Sequence, residues 1–176
     1  MTLESLFRRL ATGTRALTAG CLGLAVTLFA ASLAVLGAEI VLRYVFNHPL
    51  QNVSEGVTIA FIYVYLLGGA ALYARNEDIA LDYFFNQAGA KPRAIWLLAI
   101  YLAIALTMAV VLVETVKLML VQRGVLTPSL RLPLGVEHAA LALGAAVILY
   151  SSVVDALGCW IWFRSGIRPT LEEVAS

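Results

Sequence analysis

The sequence predicts an all-α integral membrane protein with four transmembrane helices. Hydrophobic types make up 61% of the 176 residues and charged types only 13%, whereas a soluble domain carries about 25% charged residues. The apolar residues fall in four runs, each long enough to cross a bilayer, which takes roughly 20 residues at about 1.5 Å rise per residue. A single membrane domain is therefore predicted over residues 1–176, which leaves no room for a separate soluble catalytic domain.

The amino-terminal part predicts a surface segment followed by the first span. Four apolar residues recur there at helical spacing, namely Leu3, Leu6, Phe7 and Leu10. With Arg8 and Arg9 on the other side, this pattern predicts a short interfacial amphipathic helix at about residues 2–13. A simple charged leader with chance periodicity explains it equally well. The first span is predicted at about residues 16–46, where Asn47-His48-Pro49 stops the helix because proline lacks an amide N–H.

Three further spans are predicted at about residues 54–74, 93–122 and 134–163. Glu55, three residues after Asn52, is typical of a helix start. Between the second and third spans, polar positions share one helical face and aromatic positions another, which predicts a second interfacial helix at about residues 78–89.

Lysine and arginine in the connecting segments predict the orientation. Eight of them fall in the amino-terminal segment, the middle loop and the carboxy-terminal tail, and four fall on the opposite side. Because cytoplasmic loops carry the excess of positive charge, both termini are expected to face the cytoplasm. The loops around residues 47–53 and 123–133 are then expected to face outward.

The predicted membrane interior holds no charge. Residues 16–38, 56–74, 94–113 and 139–154 contain no aspartate, glutamate, lysine or arginine. Charged groups within a membrane usually mark an ion path, a proton relay or a substrate counter-ion, and broken helices mark the sites of many carriers. All five prolines lie outside the spans. The chain is therefore expected to be unable to transport a solute alone.

Small residues recur at the spacing of helix contacts. One stripe in the first span consists of Ala30, Ala34 and Ala38, and a pair in the fourth consists of Ala140 and Gly144. Such stripes let membrane helices approach closely. They suit either this chain's own bundle or the helices of a partner.

Enzyme and cofactor sites are not predicted. The two cysteines, Cys21 and Cys159, lack metal-ligand spacing. His48 and His138 fall in or beside loops, not within the spans where a haem bundle would need them, and a metal shared by the two is the remaining alternative. The net charge of +1 also argues against a nucleic-acid partner.

An ordered set of short motifs resembles one family. The stretch from Glu39 to Leu50 contains Arg43-Tyr44-Val45-Phe46 and an Asn-x-Pro turn, and Glu55 opens the next span. Later members of the set are Gly68, Gly69, Arg75, Ile79, Asp82 and the run Thr127 to Pro133. Together they resemble the small, Q-type (DctQ-like) membrane subunit of tripartite ATP-independent periplasmic (TRAP) transporters.

The resemblance implies a place in a protein complex. It implies a small permease subunit in the bacterial inner membrane that acts as a scaffold for a large multi-span subunit. In that family the complex is a secondary transporter, and a periplasmic binding protein delivers the substrate, usually an organic acid. The Na⁺ and substrate sites are expected in the large subunit, so this chain is expected to need no cofactor.

Charges at the predicted outer rim are the candidate contacts with a subunit or partner. Glu39 and Arg43 are four residues apart and share a helix face, so they can pair, and Glu55 is close enough in the predicted topology to join them. The alternative is an ordinary rim salt bridge, worth under about 1 kcal/mol. Arg123 and Arg131, in the second outer loop, are the candidates for contact with the soluble binding protein.

Two alternative functions stay open at the level of sequence. One is the small subunit of a tricarboxylate-type tripartite carrier, which has the same architecture. The other is a stand-alone small membrane transporter or enzyme, against which the uncharged interior argues.

Overall fold

The computed structural model describes residues 3–48, 53–75 and 90–165. They form four helices, α1 (Leu3–Tyr44), α2 (Val53–Ala74), α3 (Ala90–Val121) and α4 (Gly135–Ser165). Each helix contains a stretch that is long and apolar enough to cross a membrane. The predicted all-α, four-span architecture is confirmed. The side of the membrane on which each end lies stays a prediction.

Helix α1 joins two elements that the sequence predicted separately. The expected surface helix at residues 2–13 and the first span form one helix of 42 residues, about 60 Å long at about 1.5 Å per residue. The bilayer core is about 30 Å thick, so α1 extends beyond it or is strongly tilted. Whether its first turns lie in the membrane surface stays a prediction. The second surface helix, predicted at residues 78–89, lies outside the described residues.

The apolar side of the first turns of α1 is used within the bundle. Phe7 and Ala11 are buried, and the ring of Phe7 lies against Gly158 of α4, where an added Cβ would be 3.0 Å from Phe7 Cε2. Phe7, one of the apolar residues at helical spacing in this segment, therefore packs on α4.

Helices α2 and α4 form the centre of the bundle. Helix α1 packs on α2, α3 packs on α4, and both α1 and α2 also contact α4. The most apolar stretch of α4 is 39% buried and that of α2 is 33% buried, against 11% for α1 and 6% for α3. The outer faces of α1 and α3 are consequently left for lipid or for another chain.

Three tyrosines link the helices by hydrogen bonds. Tyr63 Oη donates to the carbonyl of Val136 at 2.7 Å, and Tyr150 Oη donates to the carbonyl of Leu10 at 3.0 Å. The Tyr73 and Ser152 hydroxyls are 2.8 Å apart, and Ser152 donates to Ile148 O. Because lipid offers no hydrophobic gain for helix association, polar contacts of this kind contribute to holding the bundle together.

The change Tyr150→Phe is expected to destabilise the bundle by roughly 0.6 kcal/mol, and by at most about 1.7, the range measured for such bonds in membranes. The variant loses the bond to Leu10 O without changing the shape of the ring. Thermal unfolding of the purified chain in detergent would measure the loss. Tyr65→Phe is the matched control, because Tyr65 is exposed. Equal destabilisation by both changes would contradict the expectation.

Candidate functional site

The five charged candidates lie at one end of the bundle. Glu39 and Arg43 are in the last turns of α1, and Glu55 is in the first turn of α2. Arg123 and Arg131 are in the segment between α3 and α4. We call this the loop end, defined by residues 45–48 and 122–134. Consecutive helices run in opposite directions, so the end of α1, the start of α2 and the segment between α3 and α4 lie at this same end.

Glu55 joins the start of α2 to the segment between α3 and α4. Its Oε2 accepts the backbone N–H groups of Ser129 and Leu130, both at 2.8 Å. The Leu130 side chain also lies over Gly56, 3.5 Å from the position of an added Cβ. An acidic side chain in the first turn of a helix is also favoured by the helix dipole. The Glu55 carboxylate is therefore an internal anchor of the 123–133 loop.

Hydrogen bonds within the anchored 123–133 loop and at its end hold the two sides of the loop together. Thr127 N–H donates to Leu132 O at 2.8 Å, Leu132 N–H donates to Thr127 Oγ1 at 3.0 Å, and Leu134 N–H donates to Val125 O at 3.0 Å. Arg131 takes a φ of 51°, which is uncommon for a residue with a side chain. Such a conformation persists where the surrounding bonds over-determine it. The Thr127 side chain is buried beneath the loop, and the Arg131 side chain is exposed.

Glu39 and Arg43 remain apart. Within the described residues no ion pair joins them, and Glu55 bonds to the loop and not to Arg43. Glu39 is half-buried and Arg43 is exposed. The ion pair that does form nearby joins Lys117 Nζ to Glu114 Oε1 at 2.7 Å, and an exposed pair of this kind is worth little.

The loop end presents cationic groups to its surroundings. Arg43, Arg123 and Arg131 are all exposed. Planar guanidinium groups suit bidentate bonds to carboxylates, so this surface fits an acidic partner better than a basic one.

The described residues show no arrangement for metal binding. No group of three or more histidine, cysteine, aspartate or glutamate side chains is placed to hold a metal ion in that part of the chain. His138 Nδ1 is 2.9 Å from the carbonyl oxygen of Leu134, one helical turn earlier, and His48 is exposed.

Sequence reasoning missed the partner of Glu55. Its bonds reach residues 74 and 75 positions along the chain, and no spacing rule connects positions that far apart. The acidic residue in the first turn of α2 predicted a helix start, but nothing in the sequence predicted which backbone amides the carboxylate would meet.

Comparison of the sequence with known protein families gives a match to one family. The model of the family described as "Tripartite ATP-independent periplasmic transporters, DctQ component" matches residues 32–161. This range covers more than half of the chain and includes α2, α3, most of α4 and all five candidate residues. No curated protein matches the chain.

Proposed function

Because the chain belongs to the family of DctQ components of tripartite ATP-independent periplasmic transporters, we propose that it is the scaffold for a large transport subunit. The family consists of transporter components and not of enzymes, and the chain is a small multi-pass subunit of the inner membrane. In the proposal, the large subunit carries out Na⁺-coupled uptake of an organic acid, which a periplasmic binding protein delivers.

The uncharged interior of the four spans carries the proposal. Residues 16–38, 56–74, 94–113 and 139–154 hold no charged side chain, and the four helices run through these ranges without interruption. To bind its substrate, a carrier of an organic acid needs either charged side chains or the exposed ends of interrupted helices near the middle of the membrane. Substrate and Na⁺ therefore bind to another chain, and this one supports it.

Reconstitution of separate and combined subunits tests the proposal. The chain alone, the large subunit alone and the two together are placed in vesicles with the binding protein outside. The radiolabelled probe is the organic acid that raises the melting temperature of the binding protein most. A Na⁺ gradient is expected to drive uptake only when both membrane subunits are present. Uptake by this chain alone, or full uptake by the large subunit alone, would refute the proposed role.

Reversing two charges at the loop end tests the contact with the binding protein. The double change R123E/R131E is expected to raise the KM for the loaded binding protein by about tenfold at low salt, because charges at a rim control the rate of encounter. Co-purification with the large subunit is expected to stay unchanged. The matched control R123K/R131K keeps both charges and should retain uptake. An unchanged KM for the reversed variant would exclude these arginines from the contact.

A further inference from the structure

A cleft opens at the opposite end of the bundle from the loop end. It lies between α1 and α4, at the point where α2 ends, and has a volume of about 330 Å³. Sites for small molecules occupy about 300–1,000 Å³, so the cleft is large enough for a small polar group. Its polar lining consists of Thr14, Arg15 and Thr18 of α1, Asp155 of α4, and Arg75, which directly follows α2.

Two apolar runs end at this cleft. Arg15 directly precedes the uncharged run at residues 16–38, and Arg75 directly follows the run at residues 56–74. The first charge after an apolar run marks the boundary between hydrocarbon and head groups. The cleft therefore lies at the depth of lipid phosphates, whichever side of the membrane it faces.

The arginines are the donors that the cleft offers to a phosphate. Both arginines are exposed, and each already has a contact within the chain. A guanidinium has five N–H donors in a planar fork that matches phosphate geometry, so it can bond to a phosphate and keep that contact. The two threonine hydroxyls donate their protons within α1, Thr14 to Leu10 O at 3.1 Å and Thr18 to Thr14 O at 2.7 Å. Their oxygen lone pairs are left as acceptors.

Asp155 adds an acceptor of opposite charge. It lines the cleft beside the two arginines, and none of the described residues forms an ion pair with it. A ligand whose charges complement this lining carries a phosphate on the side of the arginines and a cationic group with N–H donors on the side of the carboxylate. A simple anion would meet repulsion from Asp155, and a simple cation would meet repulsion from the arginines.

We propose that this cleft binds the head group of phosphatidylethanolamine, with the phosphate on Arg15 and Arg75 and the ammonium on Asp155. This lipid supplies both groups at the depth of the cleft, and its acyl chains would continue along the apolar surface of the bundle. The proposal concerns lipid binding and does not depend on the role in transport.

Native mass spectrometry of the purified full chain tests the proposal. The chain is mixed separately with phosphatidylethanolamine, phosphatidylcholine and phosphatidylglycerol of identical acyl chains. Phosphatidylcholine has the same net charge as phosphatidylethanolamine but no N–H donor, and phosphatidylglycerol has no ammonium. The bound fraction is expected to be at least about fivefold higher for phosphatidylethanolamine than for either of the others. Equal retention of all three, or a preference for phosphatidylglycerol, would overturn the proposal.

Variants assign the binding to the cleft. R15Q/R75Q is expected to lower phosphatidylethanolamine retention by about tenfold, and Asp155→Asn is expected to bring it down to the level of phosphatidylcholine. R123Q, at the loop end, is the matched control and should retain the lipid as the wild type does. The wild-type comparison of lipids stands even where a variant fails to fold.

Inorganic phosphate separates a lipid site from an ion site. At millimolar concentration it is expected to leave phosphatidylethanolamine bound, because it lacks the ammonium and the chains. Displacement of the lipid by phosphate would show an anion site and contradict the proposal.

Discussion

Replacing Gly144 by leucine is expected to abolish most of the folded bundle. An added Cβ at Gly144 would lie 3.1 Å from the backbone oxygen of Leu66 and 3.3 Å from Leu66 Cβ. Backbone atoms cannot rotate away as the end of a long side chain can, so α4 and α2 would have to separate along their contact. Overpacking of a well-packed core costs about 1–3 kcal/mol, and occasionally more. This contact lies between the two most buried helices, so the effect is expected at the upper end.

The recovery of monodisperse protein after detergent extraction measures the effect, together with its melting temperature. Gly69→Leu is the matched control, because an added Cβ at Gly69 of α2 meets nothing within 4 Å. Leucine also favours helix over glycine, so the control is expected to be as stable as the wild type or more stable. The smaller change Gly144→Ala should fall between the two. Comparable recovery of G144L and G69L would show that the close approach at Gly144 does not support the fold.

Replacing Glu55 by alanine is expected to release the 123–133 loop from α2. The change removes the acceptor for the N–H groups of Ser129 and Leu130, and each amide is left without its partner. Hydrogen exchange at these two amides is expected to accelerate by about tenfold or more, since local opening governs exchange. Because the loop carries Arg131, Na⁺-driven uptake with the binding protein is expected to fall as well.

Two further variants separate loop anchoring from general damage. Glu55→Gln keeps one acceptor oxygen and should accelerate exchange less than Glu55→Ala does. Glu137→Gln removes a carboxylate from the first turn of α4, at the same end of the bundle, and should leave the Ser129 and Leu130 amides protected. If Glu55→Ala leaves exchange at these amides unchanged, the anchor has no energetic role.

The positions of the spans followed from the sequence because lipid constrains the backbone. Every polar backbone group in hydrocarbon must be bonded within its own segment, so an apolar run of spanning length has to be a helix. The predicted spans at 54–74, 93–122 and 134–163 accordingly correspond to Val53–Ala74, Ala90–Val121 and Gly135–Ser165. At the amino terminus the charged residues suggested a boundary, yet α1 continues through Arg9 and Arg15, because Phe7 packs on Gly158 of α4.

The roles of the rim charges did not follow from the sequence. Glu39 and Arg43 have the spacing of an ion pair and do not form one, because a pair with an exposed partner gains too little to fix two flexible side chains. Glu55 was grouped with them by its predicted position, but its carboxylate bonds to backbone amides of the other loop. The cleft lined by Arg15, Arg75 and Asp155 lies between α1, α4 and the end of α2, and no sequence motif predicts it.

The sequence by itself determined that four helices cross the membrane, that no charge lies within their central parts and that the chain resembles the DctQ component. Only the tertiary structure decided which face of each helix is inside. Ala140 and Gly144 are buried, Gly144 against Leu66 of α2, whereas Ala30, Ala34 and Ala38, with the same spacing, are exposed. The physical reason is that a spanning helix is apolar on every side, so hydrophobicity locates it in the bilayer without orienting it, and only contacts between helices orient it.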